Sequence, residues 1–160
     1  LRADFLHREI REKGGAYGGM AGYSADGGLF SMLSYRDPHL ERTLDVYHQA
    51  VEWTCRGDFS SEMIKQSILT AFAELDRPLS PGSRGYREFL HQQQGMTHDM
   101  IQTFRNGILA VNRKQLARVA QSYLEQTFED SSVGILAGEE MFGKAERTLS
   151  RLQAQIKRLE

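Results

Sequence analysis

The chain is predicted to be α+β, an antiparallel sheet with helices packed on one face. Three observations carry that prediction. Two extended runs, AYGGMAGYS and LFSMLSY, flank the spacer Asp26-Gly27-Gly28, and such a turn needs the positive φ that glycine adopts without steric cost. Apolar residues recur at helical spacing before the hairpin and in several blocks after it. The order helix, hairpin, several helices, short strand, helix keeps the antiparallel and helical parts in separate stretches, which is the α+β pattern.

Phe5, Leu6 and Ile10 mark the opening helix, and Gly14-Gly15 end it. No helix-start signal stands before Leu1, so the expectation is a single domain over residues 1–160, incomplete at its N-terminus. Glycines 18, 19 and 22 leave the first strand poor in side chains, which implies a bulge or a close approach by another backbone. Asp37 and Pro38 suit an N-cap and a first helical residue; Leu40, Leu44, Tyr47, Val51 and Thr54 form that helix's predicted apolar face, with Gly57 ending it. A second helix starts near Ser61 with the stripe Ile64, Ile68, Phe72 and Leu75. RPLSPGSRG, residues 77–85, reads as an exposed loop. Ile101, Phe104 and Ile108 mark a helix after Thr97, and Asn112 with Gln115 resembles a capping box opening a helix through Val119 and Tyr123. VGILAG, residues 133–138, is a candidate buried strand. The tail places Phe142, Ala145, Leu149, Leu152, Ile156 and Leu159 at helical spacing; it is too short for a coiled-coil seam and reads as a helix covering the sheet.

The totals exclude several classes of function. With 40% apolar and 26% charged residues the composition is that of a soluble globular domain. A net charge of -1 offers no basic field for nucleic acid or a membrane surface. The first residues, LRADFLHREIREK, lack a signal-peptide core. Cys55 is the single cysteine, so no internal disulfide forms and a reducing compartment, bacterial cytoplasm or organelle matrix, is favoured.

Metal, phosphate and nucleophile motifs fail one by one. The five histidines, His7, His39, His48, His91 and His98, form neither H-E-x-x-H nor H-x-x-E-H. Gly138, Gly143 and Lys144 have P-loop spacing, but Ala145 stands where a hydroxyl should hold magnesium and Glu139-Glu140 oppose phosphate. No G-x-G-x-x-G and no G-x-S-x-G occurs. Arg11 and Tyr17 in REKGGAYGG remain. A permanent cation and a directional phenol donor suit a carbonyl oxygen gaining negative charge. The structural alternative is that Arg11 pairs with a local carboxylate and Tyr17 packs in the hairpin.

LHREIREKGGAYGG followed by GLFSMLSYRDPHLERTL resembles the C-terminal half of insulinase-type metallopeptidases, the inverted zincins, and most resembles the branch containing presequence protease. The resemblance implies a metallopeptidase-like domain of that family, truncated at its N-terminus. It implies an enzyme whose N-terminal half binds zinc through H-x-x-E-H, closes with the C-terminal half around unfolded peptides and degrades them. Arg11 and Tyr17 match the Arg and Tyr that the C-terminal half lends to the active site; Gly15, Ala16, Tyr17 and Gly18 would begin the strand facing the substrate chamber. Zinc would then belong to the missing half, and the fragment alone would be inactive. Its expected partners are that N-terminal half, peptide substrates and, through uncovered surface, further copies of itself. The alternative is an inactive structural or peptide-binding module of the same fold.

Overall fold

A computed structural model of the chain describes residues 1–25, 27–153, 155 and 157. It resolves into two compact units, one made of Leu1–Arg56 with the segment from Ala120 onward, the other of Gly57–Val119.

The first unit opens with a helix over Arg2–Glu12, wound as a π-helix. Leu6 N–H donates to the Leu1 carbonyl and Lys13 N–H to that of Arg8, each five residues back. The wide turn suits the apolar spacing: Leu1, the pair Phe5 and Leu6, and Ile10 stand four or five apart, and Leu6 and Ile10 are fully buried. Burial of side chains of this size contributes about 1.5–3 kcal/mol each. Strands β1 (Gly18–Ser24) and β2 (Leu29–Tyr35) pair antiparallel, from Gly18 opposite Tyr35 to Ser24 opposite Leu29. Of the predicted turn, Asp26 lies outside the described residues, and Gly28 has φ 60°. One face of the hairpin, with Gly19, Ala21 and Met32, packs on the core; Leu29, Leu33 and Tyr35 are exposed. The opening helix and the helix carrying Val46 and Ala50 therefore lie on one face of the sheet, the arrangement predicted.

Helix α1 spans Leu40–Arg56, starting two residues later than Asp37-Pro38 implied. Asp37 still organises the entry: its Oδ1 accepts from His39 N–H at 2.9 Å and its Oδ2 from Thr43 Oγ1 at 2.6 Å. The buried face is Thr43, Val46, Ala50, Val51 and Cys55; of the five predicted residues only Val51 is buried. Core lies on two sides of α1, Phe5, Leu6, Ile10 and Ala16 around Val46 and Ala50, and Ala120 against Val51 and Cys55. Small side chains take the close approaches and the bulky Leu44 and Tyr47 are left half-buried at the margin. A second short π-wound stretch, Ala120–Glu125, closes the other side, where Gln121 Nε2 donates to the Cys55 carbonyl at 3.0 Å. Burial, and then the Glu125 carboxylate, push the Cys55 thiol up from its ordinary value, which fits an inert core residue.

The second unit holds α2 (Ser61–Leu75), α3 (Pro81–Gln93), α4 (His98–Leu109) and α5 (Arg113–Val119). Local capping explains each start. Ser60 Oγ accepts from Met63 N–H and Thr97 Oγ1 from Met100 N–H, both at 3.2 Å. Asn112 and Gln115 form the reciprocal box, Gln115 N–H to Asn112 Oδ1 at 3.1 Å and Asn112 N–H to Gln115 Oε1 at 3.0 Å. Helix α3 corrects the predicted loop, since half of RPLSPGSRG is helical: Ser80 Oγ accepts from Ser83 N–H and Pro81 sits in the first turn, a start that proline favours. The stripe Ile64, Ile68, Phe72 and Leu75 is half-buried, and no residue of these four helices is buried.

The tail departs from expectation twice. VGILAG is not a strand: no ladder partner exists for it among the described residues, and Leu136 is 85% exposed. An apolar run becomes a strand only where another backbone pairs with it. The tail helix is broken into α6 (Glu139–Lys144) and α7 (Glu146–Arg151) at Ala145, whose φ of -106° and ψ of 20° leave the helical region. Thr148 Oγ1 donates to Glu41 Oε1 at 2.6 Å and so ties the tail to α1 rather than to the hairpin. The predicted tail positions Ile156 and Leu159 lie outside the described residues.

Candidate functional site

Arg11 occupies the last turn of the opening helix and Tyr17 the residue before β1. The chain between them is a tight reversal. Gly15 N–H donates to the Arg11 carbonyl at 2.9 Å, Ala16 N–H to that of Ile10 at 3.2 Å, and Gly15 has φ 75°, a region glycine enters without cost. A Cβ on Gly14 would stand 2.3 Å from the Ile10 carbonyl oxygen, so only glycine fits there. Arg42 Nη1 donates to the Lys13 carbonyl at 2.9 Å and holds the turn from α1. The result places the Arg11 guanidinium carbon 6.0 Å from the centre of the Tyr17 ring, within cation–π reach.

Neighbouring carboxylates are engaged elsewhere. Glu9 Oε1 accepts from Lys13 Nζ and Arg8 Nε, each at 2.9 Å; Lys13 above all holds its carboxyl below the ordinary range, burial opposes it, and Arg8 adds a smaller downward pull. Glu12 lies 3.3 Å from His7. Among the described residues no carboxylate lies within ion-pair distance of Arg11. Tyr17 is 65% exposed, although its ring also meets Tyr35 of the hairpin edge to face. An exposed cation beside an exposed phenol can donate hydrogen bonds to one oxygen carrying negative charge.

The other residues singled out from the sequence fall into different places. Ala16 is buried with Phe5, Leu6 and Ile10, where its side chain anchors the turn. Strand β1 begins at Gly18, not at Gly15. A Cβ on Gly18 would meet nothing within 4 Å, whereas one on Gly19 would stand 3.0 Å from Ile10 Cβ and from the Leu6 carbonyl oxygen. The close approach expected along this strand is thus made, at Gly19, by the chain's own helix.

Sequence reasoning missed Tyr35 and Arg36. The Tyr17 and Tyr35 rings meet edge to face, centroids 5.9 Å apart at 89°, and the Arg36 guanidinium carbon stands 5.5 Å from the Tyr35 ring centre. The available signal was the hairpin register itself: a two-strand pairing that closes at Gly18 brings the end of LFSMLSY beside Tyr17.

Among the described residues no group of three or more His, Cys, Asp or Glu could hold a metal ion. The P-loop-like stretch is helical, and Lys144 Nζ is spent on Glu140 Oε1 at 2.6 Å. No described helix is long and apolar enough to cross a membrane.

Comparison with known proteins agrees with the resemblance carried by REKGGAYGG and SYRDP. The family described as PreP C-terminal domain matches residues 1–139. "Presequence protease, mitochondrial" from Danio rerio is 42% identical over 139 residues, 87% of this chain and 13% of that protein. The proteins of the same name from Yarrowia lipolytica and Mus musculus are each 40% identical, over 90% and 78% of this chain and 14% and 12% of their own lengths. The chain therefore spans only about an eighth of the relatives it matches. With Arg11, Tyr17 and the whole hairpin inside the matched region, the chain belongs to the PreP C-terminal domain family.

Proposed function

We propose that this chain is the non-zinc-binding C-terminal part of a longer zinc metallopeptidase that degrades unfolded peptides, and that it lends Arg11 and Tyr17 to the active site. The carrying observation is the exposed Arg11–Tyr17 pair, 6.0 Å from guanidinium carbon to ring centre, with no carboxylate on the guanidinium among the described residues. Charge develops on a peptide oxygen when a nucleophile adds to its carbonyl, and donors aimed there stabilise the transition state more than the bound substrate. Arg11 supplies fixed positive charge and Tyr17 a directional O–H, while Gly15 and Gly18 keep the approach free of side chains. The zinc belongs to a part of the enzyme outside this chain, and the chain by itself is inactive. The relatives are named as mitochondrial, which supports the reading of an organelle matrix.

The test is turnover and melting temperature, side by side, for the full-length enzyme and its Tyr17→Phe and Arg11→Ala variants. Lower kcat at unchanged melting temperature supports the proposal. Wild-type turnover in both variants removes the pair from the mechanism and leaves an inactive structural or peptide-binding wall as the reading.

A further inference from the structure

We infer that Tyr35 is a positioning residue for the Tyr17 phenol, with Arg36 fixing the Tyr35 ring in turn; the inference rests on the role proposed for Tyr17. Tyr17 alone is poorly held. It is 65% exposed, precedes the first strand and touches Arg11 only at the 6.0 Å limit of a cation–π contact. Two independent contacts with Tyr35 supply the missing constraint. The backbone is fixed by Tyr17 N–H donating to the Tyr35 carbonyl at 3.1 Å. The ring is fixed by the edge-to-face meeting at 5.9 Å and 89°, the arrangement that the aromatic quadrupole favours.

The surroundings are built for that meeting. Across the ladder from Tyr35 stands Gly18, where a Cβ would meet nothing within 4 Å, so no cross-strand side chain competes for the Tyr35 ring. Arg36 then keeps a left-handed backbone, φ 50°, although it is not glycine, and its guanidinium carbon lies 5.5 Å from the Tyr35 ring centre. Strain of that kind persists where surrounding contacts over-determine it. Arg11, Tyr17, Tyr35 and Arg36 thus form one row, cation, ring, ring, cation. A donor must be held in place before charge develops on the oxygen it serves.

The experiment is a double-mutant cycle in the full-length enzyme, reading kcat and KM on a fluorogenic peptide. Tyr35→Leu is expected to lower kcat roughly tenfold at unchanged KM, the size of a lost aromatic pair felt in the transition state. Tyr35→Phe, which keeps the ring, should retain kcat within about twofold. On a Tyr17→Phe background Tyr35→Leu should add less than about twofold, because its effect passes through the phenol. If Tyr35→Leu does not fold, Arg36→Ala is read in the same cycle with the same expectation of no added loss. Slow Tyr17→Phe with wild-type kcat in Tyr35→Leu overturns this inference alone, as does full multiplication of the two losses. Wild-type kcat in Tyr17→Phe overturns the role of Tyr17 and this inference with it.

Discussion

Gly19 lies directly against Ile10: a Cβ on Gly19 would stand 3.0 Å from both Cβ and Cδ1 of Ile10 and 3.0 Å from the Leu6 carbonyl oxygen. Helix and strand touch through backbone, and the neighbour that would have to give is the fully buried Ile10. Gly19→Ala is expected to cost about 1–3 kcal/mol of unfolding free energy, the usual range for overpacking. Gly18→Ala, one residue away with open space around its Cβ, should stay within about 0.5 kcal/mol of wild type. Urea unfolding of the two variants checks the contrast; equal midpoints would show that the helix and hairpin are not in contact at Gly19.

For the proposed site, Tyr17→Phe in the full-length enzyme should lower kcat by about two to three powers of ten, the loss usual for one oxyanion donor. Only the hydroxyl is removed, so the edge-to-face contact with Tyr35 remains and the melting temperature should not move. A parallel fall in melting temperature and activity would instead mean that the phenol supports the fold.

Asp76 and Arg105 give a pH prediction. Arg105 Nη1 and Nη2 donate to Oδ1 and Oδ2 of Asp76 at 2.7 and 2.9 Å, a bidentate pair, and that bonding holds the Asp76 carboxyl below its ordinary value. A carboxyl whose folded pKa is depressed contributes stability above its unfolded pKa and loses it as pH falls through the folded one. The pair therefore supports the helical unit at neutral pH and stops doing so in acid. Carboxyl-carbon NMR of Asp76 should show titration below the ordinary aspartate range, returning toward it in Arg105→Ala. Because the pair is exposed, salt should weaken it.

Hydrogen exchange should separate the two units. Helix α1 buries Val46, Ala50, Val51 and Cys55, whereas α2 to α5 bury no residue. Opening free energy tracks buried apolar contact, so in the isolated chain the amides of α2 to α5 should exchange well before those of α1. Uniform protection would refute the difference.

The hairpin should also drive association of the isolated chain. Among the described residues β1 and β2 pair only with each other, so each leaves an outer edge of unpaired N–H and C=O groups, and Leu29, Leu33 and Tyr35 are exposed on the open face. Unpaired edges recruit other strands. Sedimentation should show mass rising with concentration, and Leu33→Lys, a charge on that face, should reduce it. A strictly monomeric chain at high concentration would count against the expectation.

Features governed by neighbouring residues were legible in the sequence. The Asn112–Gln115 box, the helix starting after Thr97, the hairpin itself and the glycine stop between Arg11 and Tyr17 all depend on groups close along the chain. Ser80-Pro81 belonged to the same class and was overlooked beneath the surrounding glycines and proline. What was not legible depended on distant partners. The face that α1 buries follows from having core on two sides, and VGILAG lacks a ladder partner that composition alone cannot supply or withhold. Tyr17 and Arg11 could be named from residue type and resemblance. Tyr35 could not, because its meeting with Tyr17 exists only once the strands are in register.

The winding of Arg2–Glu12 also fixes a phase. Successive residues of a π-helix advance through a smaller angle about the axis than those of an α-helix, so eleven residues wound this way aim Arg11 in a direction that α winding would not. Loss of one residue between Leu6 and Arg11 would change more than length. It would swing the guanidinium around the axis and away from Tyr17, or force Ile10 out of the core to keep it there. A segment that looks like an ordinary amphipathic helix therefore sets, through its winding, the direction of Arg11 as well as its distance along the chain from Tyr17.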